Sequence, residues 1–128
     1  MGFTHYLSDC TKPTAKQWVE LVTFAEFLFK QAKADGIKLG NGCGEKDPEI
    51  TENYIAFNGN AETGQDHESG YFSKTPESFE FCKTARKEYD PYVVAFYKKI
   101  DSMGLGNFSS DGEDYELKEG VHIFRILG

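Results

Sequence analysis

Three cations fall within five residues at Lys83-Thr84-Ala85-Arg86-Lys87, just ahead of Asp90-Pro91, a pair suited to opening a helix. A helix start presents unpaired N–H groups and a partial positive charge, so cations beside it suit a phosphate or a carboxylate. Lys83 shares a strand face with Phe79 and Phe81, which sets aromatic rings beside cations, as a nucleotide requires. Tyr54, Phe57 and Tyr71 are further candidates to stack on a base. The competing reading is a solvated basic turn that pairs with Glu80 and Glu88.

His5 is the candidate acid or base. On a short strand it shares a face with Phe3 and Leu7, so it is either a hydrogen-bonded core residue or a proton-transfer group at a pocket edge. If the first strand lies beside the one carrying Lys83, His5 and the cations converge. Asp66-His67-Glu68 and the distant His122 offer metal-ligand types, but consecutive strand residues alternate faces and no HxH, HExxH or EF-hand spacing occurs. No metal is expected. Cys43 and Cys82 lack a partner histidine as nucleophiles. Ser109-Ser110-Asp111-Gly112 reads as a turn by Asx chemistry, with a catalytic Asp111 as the alternative. Gly40-Asn41-Gly42-Cys43-Gly44 is glycine-rich without the strand and helix of a phosphate loop, and no GxSxG or dinucleotide pattern is present. No cofactor is implied.

These residues need elements to hold them. Residues 2–8 predict a strand. Thr14-x-x-Gln17 has capping-box form, with Trp18 placed to staple on Pro13, and Trp18, Leu21, Val22, Ala25, Leu28, Phe29 and Ala32 recur at helical spacing until Gly36. Strands are expected near 52–58, 68–74 and 78–84, three neighbours that suggest an antiparallel meander. Asp90 as N-cap, Pro91 at N1 and a Tyr89–Val94 staple predict a second helix, buried along Val93, Phe96, Tyr97, Ile100 and Met103 and ended by Gly104. A short strand follows near 107–109. Residues 113–127 favour a helix, with Gly120 and the run VHIFRIL allowing a strand. The expected fold is a single α+β domain over 1–128: a mostly antiparallel sheet of four or five strands with two or three helices on one face.

The 128 residues hold 14 Lys or Arg against 21 Asp or Glu, a net charge of −7. Without the basic segment, 11 cations face 21 acids, so the remainder stands near −10. That balance argues against wrapping long nucleic acid but not against one small anionic ligand. At 39% hydrophobic and 15% aromatic residues, the chain can build a core without staples. The start lacks a signal-peptide pattern, Gly2 lacks the Ser or Thr that myristoylation wants where Tyr6 stands, and no apolar run reaches a membrane span. Three widely spaced cysteines fit reduced thiols. A cytoplasmic protein is expected, and a homodimer stays open.

Taken together, GFTHY (2–6), AFNG (56–59), FEFCKTARKEYD (79–90) and SSDG (109–112) resemble a family of small uncharacterised proteins encoded by bacteriophages and prophages. Glu88 stands where such proteins often carry Pro. The resemblance implies an accessory protein acting in the cytoplasm of an infected bacterium, often against host defence, and carries over no catalytic residue. The leading expectation is a counter-defence protein that binds a small phosphorylated nucleotide signal through Lys83, Arg86 and Lys87 and sequesters or cleaves it, with His5 as acid or base. The alternative is an acidic inhibitor that docks on a host defence nuclease or immune complex. A structural or regulatory phage protein without a small ligand is the third.

Overall fold

The computed structural model describes residues 3–128, so Gly2, at the start of the expected first strand, lies outside it. Strand β1 spans Thr4–Ser8, and helix α1 spans Ala15–Ala34. The capping box forms: Gln17 N–H donates to Thr14 Oγ1 at 3.1 Å while the Gln17 side chain accepts from Thr14 N–H at 2.9 Å. Beyond the Asp35 cap, Gly36 takes the left-handed conformation (φ 78°) that releases the chain. The buried stripe matches the helical spacing, with Phe24 added and Val22 and Phe29 only partly covered.

Four strands build one antiparallel sheet. Strand β4 (Tyr54–Gly59) is its centre and pairs with β2 (Leu39–Gly40), β3 (Glu49–Ile50) and β5 (Gly70–Ser73). The third expected strand of the meander, β6 (Glu80–Lys83), instead joins β1. Pro76 lies in the link from β5, where a missing N–H cannot extend a ladder. With β7 (Asn107–Ser110) on the far edge, the second sheet runs β6-β1-β7, antiparallel throughout. The α+β class therefore holds, with its strands divided between two sheets.

Helix α2 (Asp90–Ser102) is the centre of the core. Tyr92 to Tyr97 are all buried, as a helix apolar around its circumference requires. Its start differs from expectation. Tyr89 takes the cap position without a side-chain bond, and Asp90 is the first helical residue, because its carboxylate is engaged elsewhere. The Tyr89 hydroxyl donates to the Glu68 carbonyl. The tail folds as helix α3 (Asp114–Leu127), opened by a Glu113–Glu116 capping box. Gly120, which left a strand open, is where α3 crosses α2: a Cβ there would lie 2.5 Å from Val94 Cβ. Among the described residues, no helix is long and apolar enough to cross a membrane.

Candidate functional site

Strand pairing brings together what the sequence separates. His5 lies opposite Ser110 across β1 and β7, so both side chains share the face that α2 covers. His5 is fully buried, packed edge-on against Phe3 with ring centroids 5.0 Å apart. Its Nδ1 lies 2.8 Å from Ser110 Oγ and its Nε2 lies 2.6 Å from Asp90 Oδ1. Thr84 Oγ1 donates to the same carboxylate oxygen.

Donor accounting fixes the proton positions along this chain. A carboxylate only accepts, so His5 Nε2 carries the hydrogen toward Asp90. Ser110 Oγ accepts from Gly112 N–H at 3.0 Å and keeps a second lone pair, but a neutral imidazole with its hydrogen on Nε2 can only accept at Nδ1, so the hydroxyl donates its hydrogen. His5 Nδ1 at 2.8 Å is a better acceptor for it than Thr4 O at 3.5 Å. The result is a hydroxyl, an imidazole and a carboxylate in line, with the imidazole lone pair facing the hydroxyl. The carboxylate at the first residue of α2 also meets the positive end of the helix dipole.

The two ends of the chain open on different clefts. Asp90 borders a cleft of about 450 Å³ at the start of α2. Ser110 borders one of about 800 Å³ between β7 and α3, closed on one side by Lys98 of α2. Their charges differ in sign. The first holds Arg86 and Lys87 among Asp35, Glu88, Asp90, Glu116 and Glu119. The second holds Lys98, Lys118 and Arg125 with Asp114 as its one acid, and His122 beside them. Lys118, His122 and Arg125 stand exposed on one face of α3 at i, i+4 and i+7.

The three cations expected to bind phosphate do not all gather. Lys83 lies opposite Thr4, so β1 does adjoin its strand, but alternation turns Lys83 to the face away from His5. Arg86 stacks on Phe3 at 4.3 Å and bonds Glu116 through Nε at 3.2 Å and through an η nitrogen at 3.0 Å. The Glu116 carboxyl is held below its usual range by the Glu113 N–H first and by Arg86 second. Arg86 and Ala85 are also both left-handed (φ 56° and 52°), a turn strained by roughly 1–2 kcal/mol per residue. Of the expected cations, Arg86 and Lys87 share a cleft, and five carboxylates surround them. Tyr54 and Tyr71 face each other on the other sheet at 5.6 Å, with the Tyr54 hydroxyl donating to Glu49 at 3.0 Å. Phe57 is fully buried between Phe29 and Phe96, where no base can reach it.

Asp111, the alternative catalytic residue of the turn, accepts from Thr4 N–H at 3.3 Å and from the Tyr6 hydroxyl at 3.0 Å, which ties the turn to β1. Ser110 and Asp90 were not singled out by sequence, because a serine in a turn and an aspartate before a helix proline both have ordinary local explanations. The stripe on α3 was legible once residues 114–127 were read as a helix. Among the described residues, no group of three or more His, Cys, Asp or Glu is arranged to hold a metal ion. Comparison with protein-family models, curated proteins and solved structures yields no match.

Proposed function

We propose that the chain binds a small phosphate-bearing ligand of the nucleotide class in the cleft between β7 and α3. The observation that carries this reading is the charge of that cleft: three cations against one acid, in a protein of net charge −7. Lys98, Lys118 and Arg125 supply phosphate partners, while Phe108 and the exposed Tyr115 on the cleft wall offer ring faces to a base. The site thus moves from the basic turn before α2 to the other end of the buried chain. The resemblance to bacteriophage-encoded proteins gives the reading a setting, in which the ligand is a signalling nucleotide of host defence and the protein acts in the host cytoplasm.

Isothermal titration against cyclic nucleotides and ADP-ribose tests it. Binding of one of them is expected, weakened at least tenfold in K118E/R125E and by added salt, since these side chains are exposed. No heat with any of them, in folded protein, overturns the reading. A second reading is an inhibitor that docks on a basic groove of a host defence protein. It is favoured by a strip on the outer face of β6-β1-β7, where Phe79 and Phe81 are about half exposed and Tyr6 lies 6.0 Å from Phe79. Under it, reversing clustered surface acids abolishes inhibition and leaves nucleotide binding untouched.

A further inference from the structure

Ser110 sits where the phosphate-binding cleft meets the buried chain. We propose that Ser110 is the nucleophile of a phosphoester-cleaving site, with His5 as its general base and Asp90 as the residue that positions the imidazole. This rests on the binding reading above and adds a reaction to it.

Three observations carry the assignment. The hydroxyl hydrogen of Ser110 is directed to His5 Nδ1, which, as the bare nitrogen of a neutral imidazole, can only accept. His5 can take that proton because its Nε2–H is committed to Asp90 at 2.6 Å, leaving Nδ1 as the basic atom. The ring is therefore used in the reverse sense to the usual hydrolase triad, where Nε2 faces the serine; the roles are the same. Finally, Lys98, Lys118 and Arg125 line the cleft on which Ser110 opens, so charge that builds on a phosphoryl group has cations near it.

The reaction balances with water as the only co-reactant. Ser110 Oγ bonds to phosphorus as its proton passes to His5 Nδ1. The bond from phosphorus to the ester oxygen breaks, and that oxygen takes a proton from water in the cleft and leaves as an alcohol. The hydroxide so formed adds to phosphorus, the phosphorus–Oγ bond breaks, and Oγ recovers its proton from Nδ1, since the buried ring exchanges protons only with Ser110. One phosphoester and one water become an alcohol and a phosphate, with no change of oxidation state.

The test uses diisopropyl fluorophosphate, which traps an activated serine by losing fluoride and needs no knowledge of the natural ligand. Mass spectrometry of the wild-type protein is expected to place one adduct on Ser110 and none on Ser109, its exposed neighbour in the same cleft. Asp90→Asn should slow labelling at least a hundredfold, and S78A, at an exposed serine outside the cleft, should leave it unchanged. Bis-p-nitrophenyl phosphate, as a turnover probe, should be cleaved by wild type and S78A and not by S110A. An absence of adduct on folded protein, or equal labelling of Ser109 and Ser110, overturns the assignment. The binding reading fails separately: nucleotide binding without an adduct leaves a sequestering protein, and an adduct without nucleotide binding leaves a serine hydrolase of another ester.

Discussion

His5 Nε2 and Asp90 Oδ1 lie 2.6 Å apart although 85 positions separate the residues, and this bond fixes β1 to the first turn of α2. Both groups are withdrawn from water, His5 fully and the Asp90 side chain to 10% exposure. A buried charge that loses its partner is costly, on the order of 3–5 kcal/mol. His5→Gln and Asp90→Asn should each destabilise the fold by about 3 kcal/mol, and the double variant by clearly less than the sum. Urea unfolding of the four proteins measures the coupling; a value under about 0.5 kcal/mol would mean the two side chains merely sit together.

Gly120 sets the approach of α3 to α2. A methyl group there meets Val94 Cβ at 2.5 Å and the Pro91 carbonyl oxygen at 2.8 Å, and the latter is backbone that cannot rotate away. Gly120→Ala should therefore cost about 1–3 kcal/mol despite its better helix propensity. Thermal unfolding checks the sign. Since α3 carries Lys118 and Arg125, the same substitution should also weaken nucleotide binding.

The three thiols should react in a set order. Cys43 is exposed, Cys10 is half-buried with burial pushing its thiol up, and Cys82 is fully buried with its thiol pushed up further by burial and by Glu68. A raised thiol has less thiolate at a given pH, and thiolate is the reactive form. Ellman's reagent at mildly alkaline pH should titrate Cys43 at once, Cys10 slowly and Cys82 only in denaturant. Rapid release of three equivalents from folded protein would contradict the placement of Cys82.

Two glutamates should pull stability in opposite directions in acid. Glu116 is held low by the Glu113 N–H and Arg86, so its contribution is present above the ordinary glutamate value and lost as pH falls through the lower folded one. Glu80 is raised by burial, so protonating it in acid relieves a penalty. Glu116→Gln should flatten the loss of stability on the acid limb, and Glu80→Gln should steepen it. Denaturant midpoints measured from neutral to acid pH decide; identical profiles for both variants and wild type would remove the assignment.

Local rules reach far into this fold. The Thr14–Gln17 box, the spacing from Trp18 to Ala32, and the apolar run around Phe96 each specify an element from neighbours within one or two turns. Alternation likewise places His5 with Phe3 and Leu7 on the buried face. What stayed out of reach was the partner of each face. Periodicity states that β6 is a strand but not that it joins β1 rather than β5, and it was this choice, with alternation, that set Lys83 away from His5.

The candidate site followed the same division. The sequence determined that His5 shares a face with Phe3 and Leu7, by the repeat of two residues, and favoured without deciding a helix over 113–127, on which the 3.6-residue repeat aligns Lys118, His122 and Arg125. Only the tertiary structure decided that His5 meets Ser110 and Asp90, 105 and 85 positions away, and that the acids crowd Arg86 while the cations of α3 stand nearly alone. Hydrophobic burial is non-directional and says which groups leave water. Hydrogen bonds and charge pairs are short-ranged and directional, so which partners they join depends on where the packed elements come to rest.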